Sequence, residues 1–231
     1  MKPPKGGFFL QVKSTIFEAM NFTLENYIMI SVFLVSLTVY IQLPSAGYLK
    51  AFPVFLAWVL WCDFYFANPK NIFPHLVSIT DIIEYSFFYF VLREIILNPK
   101  MKKLILYIMM IMPVLALINI YVIQKDKDYN ILNFSVYCLI AVSICIYYYF
   151  ELMRGTESQS LSKLPAFWIV TGLLFNNLCT FPVFALVTLM KKVPLVISMN
   201  IANVFNMVTL FTAILFSIGF LCRLKIRKST L

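Results

Sequence analysis

The chain has 231 residues, of which 61% are hydrophobic, 17% aromatic and 13% charged, whereas soluble domains run nearer ~45–50% apolar and ~25% charged. A mean hydropathy of +0.86 excludes a water-soluble monomer, because folding cannot hide that much apolar surface and lipid must act as solvent for most of it. The net charge of +9 then reads as Lys and Arg gathered beside anionic lipid headgroups rather than as a nucleic-acid surface.

Residues 1–26 form an N-terminal segment. Lys13, Glu18, Asn21 and Glu25 interrupt its apolar residues, so it lacks the continuous core of a signal peptide. Thr15 and Glu18 have capping-box spacing. Phe9, Val12, Ile16 and Met20 recur at helical spacing, which predicts a helix over 8–21 lying on the membrane surface.

Seven apolar runs follow within 27–221, at roughly 27–42, 48–67, 75–97, 104–123, 130–152, 165–190 and 196–221. Each is long enough, or nearly so, to cross a bilayer at about 20 residues per crossing. The expected fold is therefore all-α, a polytopic bundle of about seven transmembrane helices. Breakers separate the runs. Leu43-Pro44-Ser45 follows the first and Asn68-Pro69-Lys70 the second, while Asn98-Pro99-Lys100 ends the third. Lys125-Asp126-Lys127-Asp128 separates the fourth from the fifth, Arg154-Gly155-Thr156 closes the fifth, and Lys191-Lys192 lies between the last two. A short basic tail, 222–231, ends the chain.

An odd number of crossings puts the termini on opposite sides. The C-terminal side collects Lys50, Arg93, Lys100, Lys102, Lys103, Arg154, Lys163, Arg223, Lys225, Arg227 and Lys228, eleven of the nineteen basic residues. The excess of Lys and Arg on the cytoplasmic side predicts a multi-pass protein of the cell membrane with its N-terminus outside. Asn21-Phe22-Thr23 and Asn133-Phe134-Ser135 match the glycosylation sequon and fall on the outer side of this topology.

The five cysteines show neither CxxC spacing nor metal-ligand clustering, and an odd count makes no disulfide framework. They read as small apolar side chains. No cofactor and no metal is implied.

Ionisable side chains within the hydrocarbon are costly, so each is a candidate for function. The third run carries Asp81 and Glu84 on one helical face, with Ser78 and Tyr85 beside them. Such a pair suits a cation, a relayed proton or a basic ligand; hydration at the outer surface is the structural alternative. Asn200, Asn203 and Asn206 lie along one side of the seventh run, where amides also join helices by hydrogen bonding. Asp63 sits near the outer end of the second run. Asn176 and Asn177 lie at mid-membrane in the sixth, followed by Pro182, and Pro113 interrupts the fourth. His75, the single histidine, begins the third run at the surface. At the inner ends, Arg93 with Glu94 and Glu151 with Arg154 are expected to form ion pairs at headgroup level.

A faint repeat relates Pro53-Val-Phe to Pro165-Ala-Phe, and Asp81-x-x-Glu84 to Asn200-x-x-Asn203. It implies three helices, a linker helix and three more, with the third and seventh facing each other across a central cavity. Several activities are excluded. A retinal protein needs a lysine inside its last helix and 196–221 has none, a multi-histidine metal site is impossible, and no nucleophile elbow, Walker sequence or H-E-x-x-H occurs. An enzyme would have to work through the carboxylates.

Tyr148–Leu152 (Tyr-Tyr-Phe-Glu-Leu), Leu161-Ser-Lys-Leu-Pro-Ala-Phe-Trp-Ile169, Gly172-Leu-Leu and Ile79–Tyr85 together resemble small multi-helix membrane proteins common in Bacteroidota, which have no assigned activity. Some related-looking modules precede histidine-kinase domains, so the resemblance implies sensing through a separate signalling partner. The expected function is a receptor-like or accessory module that binds a small ligand, ion or partner helix in its outer half. The expected site is Asp81, Glu84, Asn200 and Asn203, with Asp63 and Asn177 behind them. The other reading is a small transporter of the three-plus-one-plus-three type coupled to protons or cations.

Overall fold

A computed structural model describes residues 22–41, 46–66, 74–123, 131–154, 161–189 and 195–228. The expected surface helix over 8–21 lies outside them. The described residues form seven α-helices and no strand: α1 (Phe22–Ile41), α2 (Gly47–Phe66), α3 (Pro74–Ile95), α4 (Pro99–Ile118), α5 (Ile131–Arg154), α6 (Pro165–Leu189) and α7 (Leu195–Lys228). A π-turn, Asn119–Ile123, extends α4, and a 3-10 turn, Leu161–Lys163, precedes α6.

Five helices are long and apolar enough to cross a membrane: Gly47–Tyr65, Pro99–Val122, Asn133–Arg154, Pro165–Val183 and Asn203–Cys222. They make the chain a multi-pass membrane protein. Much of their surface points outward and is apolar, including the exposed ladder Trp58, Trp61 and Tyr65 on α2, whose successive ring centroids lie 5.2 and 5.6 Å apart. Lipid is the only medium in which such a surface is stable. The apolar part of α1, Asn26–Ile41, is shorter. α3 carries Asp81, Glu84, Arg93 and Glu94 and is the least apolar of the first six helices.

Contacts order the helices into a closed ring, α1–α2–α3–α5–α6–α7 and back to α1, with α4 packed outside on α3. α3 also reaches across to α6. The helix that carries Asp81 and Glu84 within its apolar run is thus surrounded by protein, and Val77, Ser78, Tyr85, Phe88, Tyr89, Val91, Leu92 and Ile95 are all buried. Charge is tolerated there because neighbouring helices, not acyl chains, are its environment. α4 is the opposite case, with Ile105 and Ala116 its only buried residues.

Each end of the bundle has a distinct interior. Toward the end where α1 finishes, here the carboxyl end, Phe52 of α2 is fully buried. It packs edge-on against Phe87 of α3 at 5.1 Å and against Phe216 and Phe220 of α7 at 5.6 and 5.3 Å. An α2 side chain therefore fills the space between α3 and α7 at this level, where the repeat predicted a cavity. α6 and α7 meet closely through glycine: a Cβ on Gly172 would lie 2.8 Å from Phe216, and one on Gly219 3.3 Å from the Pro165 carbonyl. Small residues let transmembrane backbones approach in this way.

Two expectations from the sequence need correction, and the last helix runs on past its membrane-spanning stretch. Asn98-Pro99 opens α4 rather than ending α3: the Asn98 side chain accepts the Lys100 N–H at 2.9 Å and Pro99 takes the first helical position, where a missing N–H costs nothing. The basic run after it is therefore helix. α7 continues to Lys228, since the tail has no Gly or Pro to stop it. Glu151 does not pair with Arg154. Its carboxylate accepts the backbone N–H groups of Leu97 and Asn98, while Arg93 and Glu94 do form an ion pair, at 2.7 Å.

Candidate functional site

The amino end of the bundle, where α1 begins, holds the ionisable and amide groups. On α3, Ser78, Asp81 and Tyr85 fall on one stripe, while Glu84 shares the next stripe with Val77, Phe88 and Val91. Residues three apart on a helix are neighbours whose directions still diverge. Asp81 faces α4 and α5. Glu84 comes within electrostatic reach of Cys62 on α2 and Cys138 on α5.

Asp81 lines a small, partly open recess with Ser78, Ile82, Ala116, Ile120, Asn133, Phe134 and Tyr137. Its volume, about 10 Å³, is room for one water-sized sphere. The walls are fixed by polar contacts between helices. Asn119 donates its amide to Asn133 Oδ1 at 3.3 Å, Tyr137 donates to the Met112 carbonyl at 3.2 Å, and Tyr89 donates to the Tyr137 carbonyl at 3.0 Å. The Tyr85 and Tyr137 rings stack at 4.9 Å, and the Tyr85 hydroxyl meets Cys138 Sγ at 3.4 Å. The π-turn has a specific effect here. Its wider winding turns two successive residues, Asn119 and Ile120, inward, and both are buried.

The other expected residues are distributed around this recess rather than in it. Asp63 is half-buried beside Cys62, on the stripe that carries Phe52, Leu56 and Val59. Asn177 is 1% exposed; it donates to the Leu173 carbonyl at 2.7 Å, and its Oδ1 is buried without a hydrogen-bond donor. On α7, Asn206 Oδ1 and Thr212 Oγ1 are in the same condition. Asn206 precedes buried Ala213 by one heptad, so it points inward. Asn203 points elsewhere. It borders an open apolar groove of about 460 Å³ with Phe175, Met207 and Phe211, distinct from the Asp81 recess. Asn200 lies in helical backbone, and its side chain and that of His75 fall outside the described residues.

The structure thus joins Asp81 to Ser78, Asn133 and Tyr137, and sets Glu84 and Asp63 around Cys62; Asn203 belongs to neither set. Sequence reasoning missed Asn119 and Tyr137, which come from other helices, and saw Asn133 only as a sequon. The proline at 113 was the one available signal that backbone in α4 departs from regular winding nearby. Among the described residues no three His, Cys, Asp or Glu side chains converge as metal ligands. Compared with protein-family models, curated proteins and solved structures, the chain matches none.

Proposed function

We propose that this membrane protein is a receptor-like or accessory module that binds a small ligand or ion among the polar groups at the amino end of its bundle. It acts through a separate membrane or signalling protein, and the amino end faces outward. The observation that supports this most directly is the contrast along the ring interior. Glu84, Asp63, Asn177 and Asn206 lie in its amino half, whereas Phe52, Phe216 and Phe220 fill its carboxyl half. A solute held at the amino end therefore meets close-packed aromatic rings and not a path onward. The resemblance of Tyr148–Leu152 and Leu161–Ile169 to Bacteroidota membrane proteins belongs to the same reading.

One observation favours the transporter reading: α4 stands outside a ring of six, the place a three-plus-one-plus-three plan gives its linker helix. Flux decides between them. The purified protein in liposomes, with and without the Asp81→Asn, Glu84→Gln double substitution, is expected to bind without moving substrate and to lose binding in the variant. Proton- or cation-coupled flux that the variant lacks would establish the transporter instead.

A further inference from the structure

We propose that the lipid-facing side of α7 is an interface with a second copy of this chain. The two α7 helices pack in parallel about a two-fold axis normal to the membrane, with their Asn203 amides bonded to each other. The inference goes beyond the functional reading above and does not depend on whether the module signals or transports.

The surface has the pattern of a helix seam. Asn203, Met207, Leu210, Ile214 and Leu221 are exposed, and half-buried Ser217 stands between the last two. Their spacing alternates four and three residues, the repeat that keeps one edge of a helix against a parallel neighbour along its length. The surface is also concave. Its groove of about 460 Å³ is lined by Phe175 of α6 and by Phe211, whose ring centroids lie 4.5 Å apart, and side chains of an incoming helix can enter it as knobs enter holes.

Apolar fit does not by itself favour a helix over lipid, because acyl chains cover such a groove equally well. The polar group decides. Asn203 borders the groove about two turns beyond the start of α7 at Leu195, and among the described residues no hydrogen bond reaches its amide. An amide left so in an apolar setting is costly, and one that pairs across helices stabilises their association.

Self-complementarity selects the occupant. Every copy inserts the same way round, so a two-fold axis normal to the membrane brings Asn203 of each α7 to the same depth. An amide carries both a donor and an acceptor, and two of them satisfy each other with reciprocal bonds. A different partner would need a matching group at that depth, which a second copy has by construction. A single polar residue in an apolar seam also fixes register and partner number.

The test is oxidative cross-linking of the full chain in membranes of the expressing cells, together with energy transfer between donor- and acceptor-labelled copies in phosphatidylcholine liposomes. Ile214→Cys, on the seam, should give a covalent dimer well above the background from the native cysteines. Leu139→Cys, similarly exposed on α5, should not. Energy transfer should fall as lipid is added, and Asn203→Leu should move its midpoint to an about tenfold higher protein-to-lipid ratio. Asn203→Gln keeps the amide and should stay closer to the wild type. No transfer between copies at any dilution, the result of a groove filled by lipid or by a foreign helix, would overturn the interface. Equal cross-linking through Leu139→Cys, or a wild-type midpoint in Asn203→Leu, would overturn it as well.

Discussion

Glu151 near the end of α5 accepts the backbone N–H of Asn98 at 2.8 Å through one carboxylate oxygen, and that of Leu97 at 2.9 Å through the other. Asn98 in turn caps α4 and donates its side-chain amide to Tyr147 at 2.8 Å. The turn between α3 and α4 has no sheet or helix to satisfy these N–H groups, so a carboxylate from another helix does it. Glu151→Ala should destabilise the fold by about 2 kcal/mol, the size of a lost charged hydrogen-bond set at a partly solvated site. Glu151→Gln should cost less, since one acceptor oxygen survives. Thermal unfolding in detergent measures both, and an unchanged melting temperature for the alanine variant would remove this role.

The α6–α7 contact gives a sharper steric test. Gly172→Ala places a methyl 2.8 Å from a Phe216 ring that is itself buried against Phe52. The ring is buried and must shift to make room, so the substitution should cost about 1–3 kcal/mol, as overpacking usually does. Gly47→Ala is the control, because nothing lies within 4 Å of its new Cβ. Equal melting of the two variants would show that the helices relax apart easily.

Phe52→Ala should be among the most damaging single changes. The ring is fully buried and touches α3 and α7 together, and truncating a buried Phe typically costs about 3–5 kcal/mol. A loss below about 1 kcal/mol would mean the aromatic fill of the carboxyl half is loose.

Asn133 should stay unmodified when the chain is made in a glycosylating host, whichever side it faces. Its Oδ1 accepts from Asn119, and its amide nitrogen, the atom a glycan would occupy, is buried. Intact-mass analysis reads the outcome directly; a glycan at Asn133 would contradict the packing of α5 on the π-turn.

Hydropathy was enough to place all seven helices, because bilayer thickness and backbone hydrogen bonding leave the chain few alternatives. Boundaries were legible only where punctuation had one meaning. Asn98-Pro99 suits both an end and a beginning, and the structure uses it as a beginning. Glu151 was matched with Arg154 because they are close in sequence, yet its partners are 53 and 54 residues away. The same blindness hid the recess. Asp81 was visible as a charge in an apolar run, but Asn119, Asn133 and Tyr137 come to it from α4 and α5 through packing that periodicity does not encode. The sequence also suggested that Asp81 and Asn203 share one cavity, whereas Asn203 borders an apolar groove on α6 and α7.

The external position of α4 has a consequence for how its surface can vary. Its 20 residues make a rod of about 30 Å, tied at the Asn98 end by Glu151 and Tyr147 and beyond its other end by the Asn119–Asn133 amide contact, with the Tyr137 hydroxyl on Met112 between them. Between those ties most of its side chains are apolar and exposed, so the helix meets acyl chains along its length. Its seat in the bundle is therefore set by a few polar contacts and the strip it shares with α3, while the rest of its surface can change among apolar residues at little cost, one hydrocarbon neighbour replacing another.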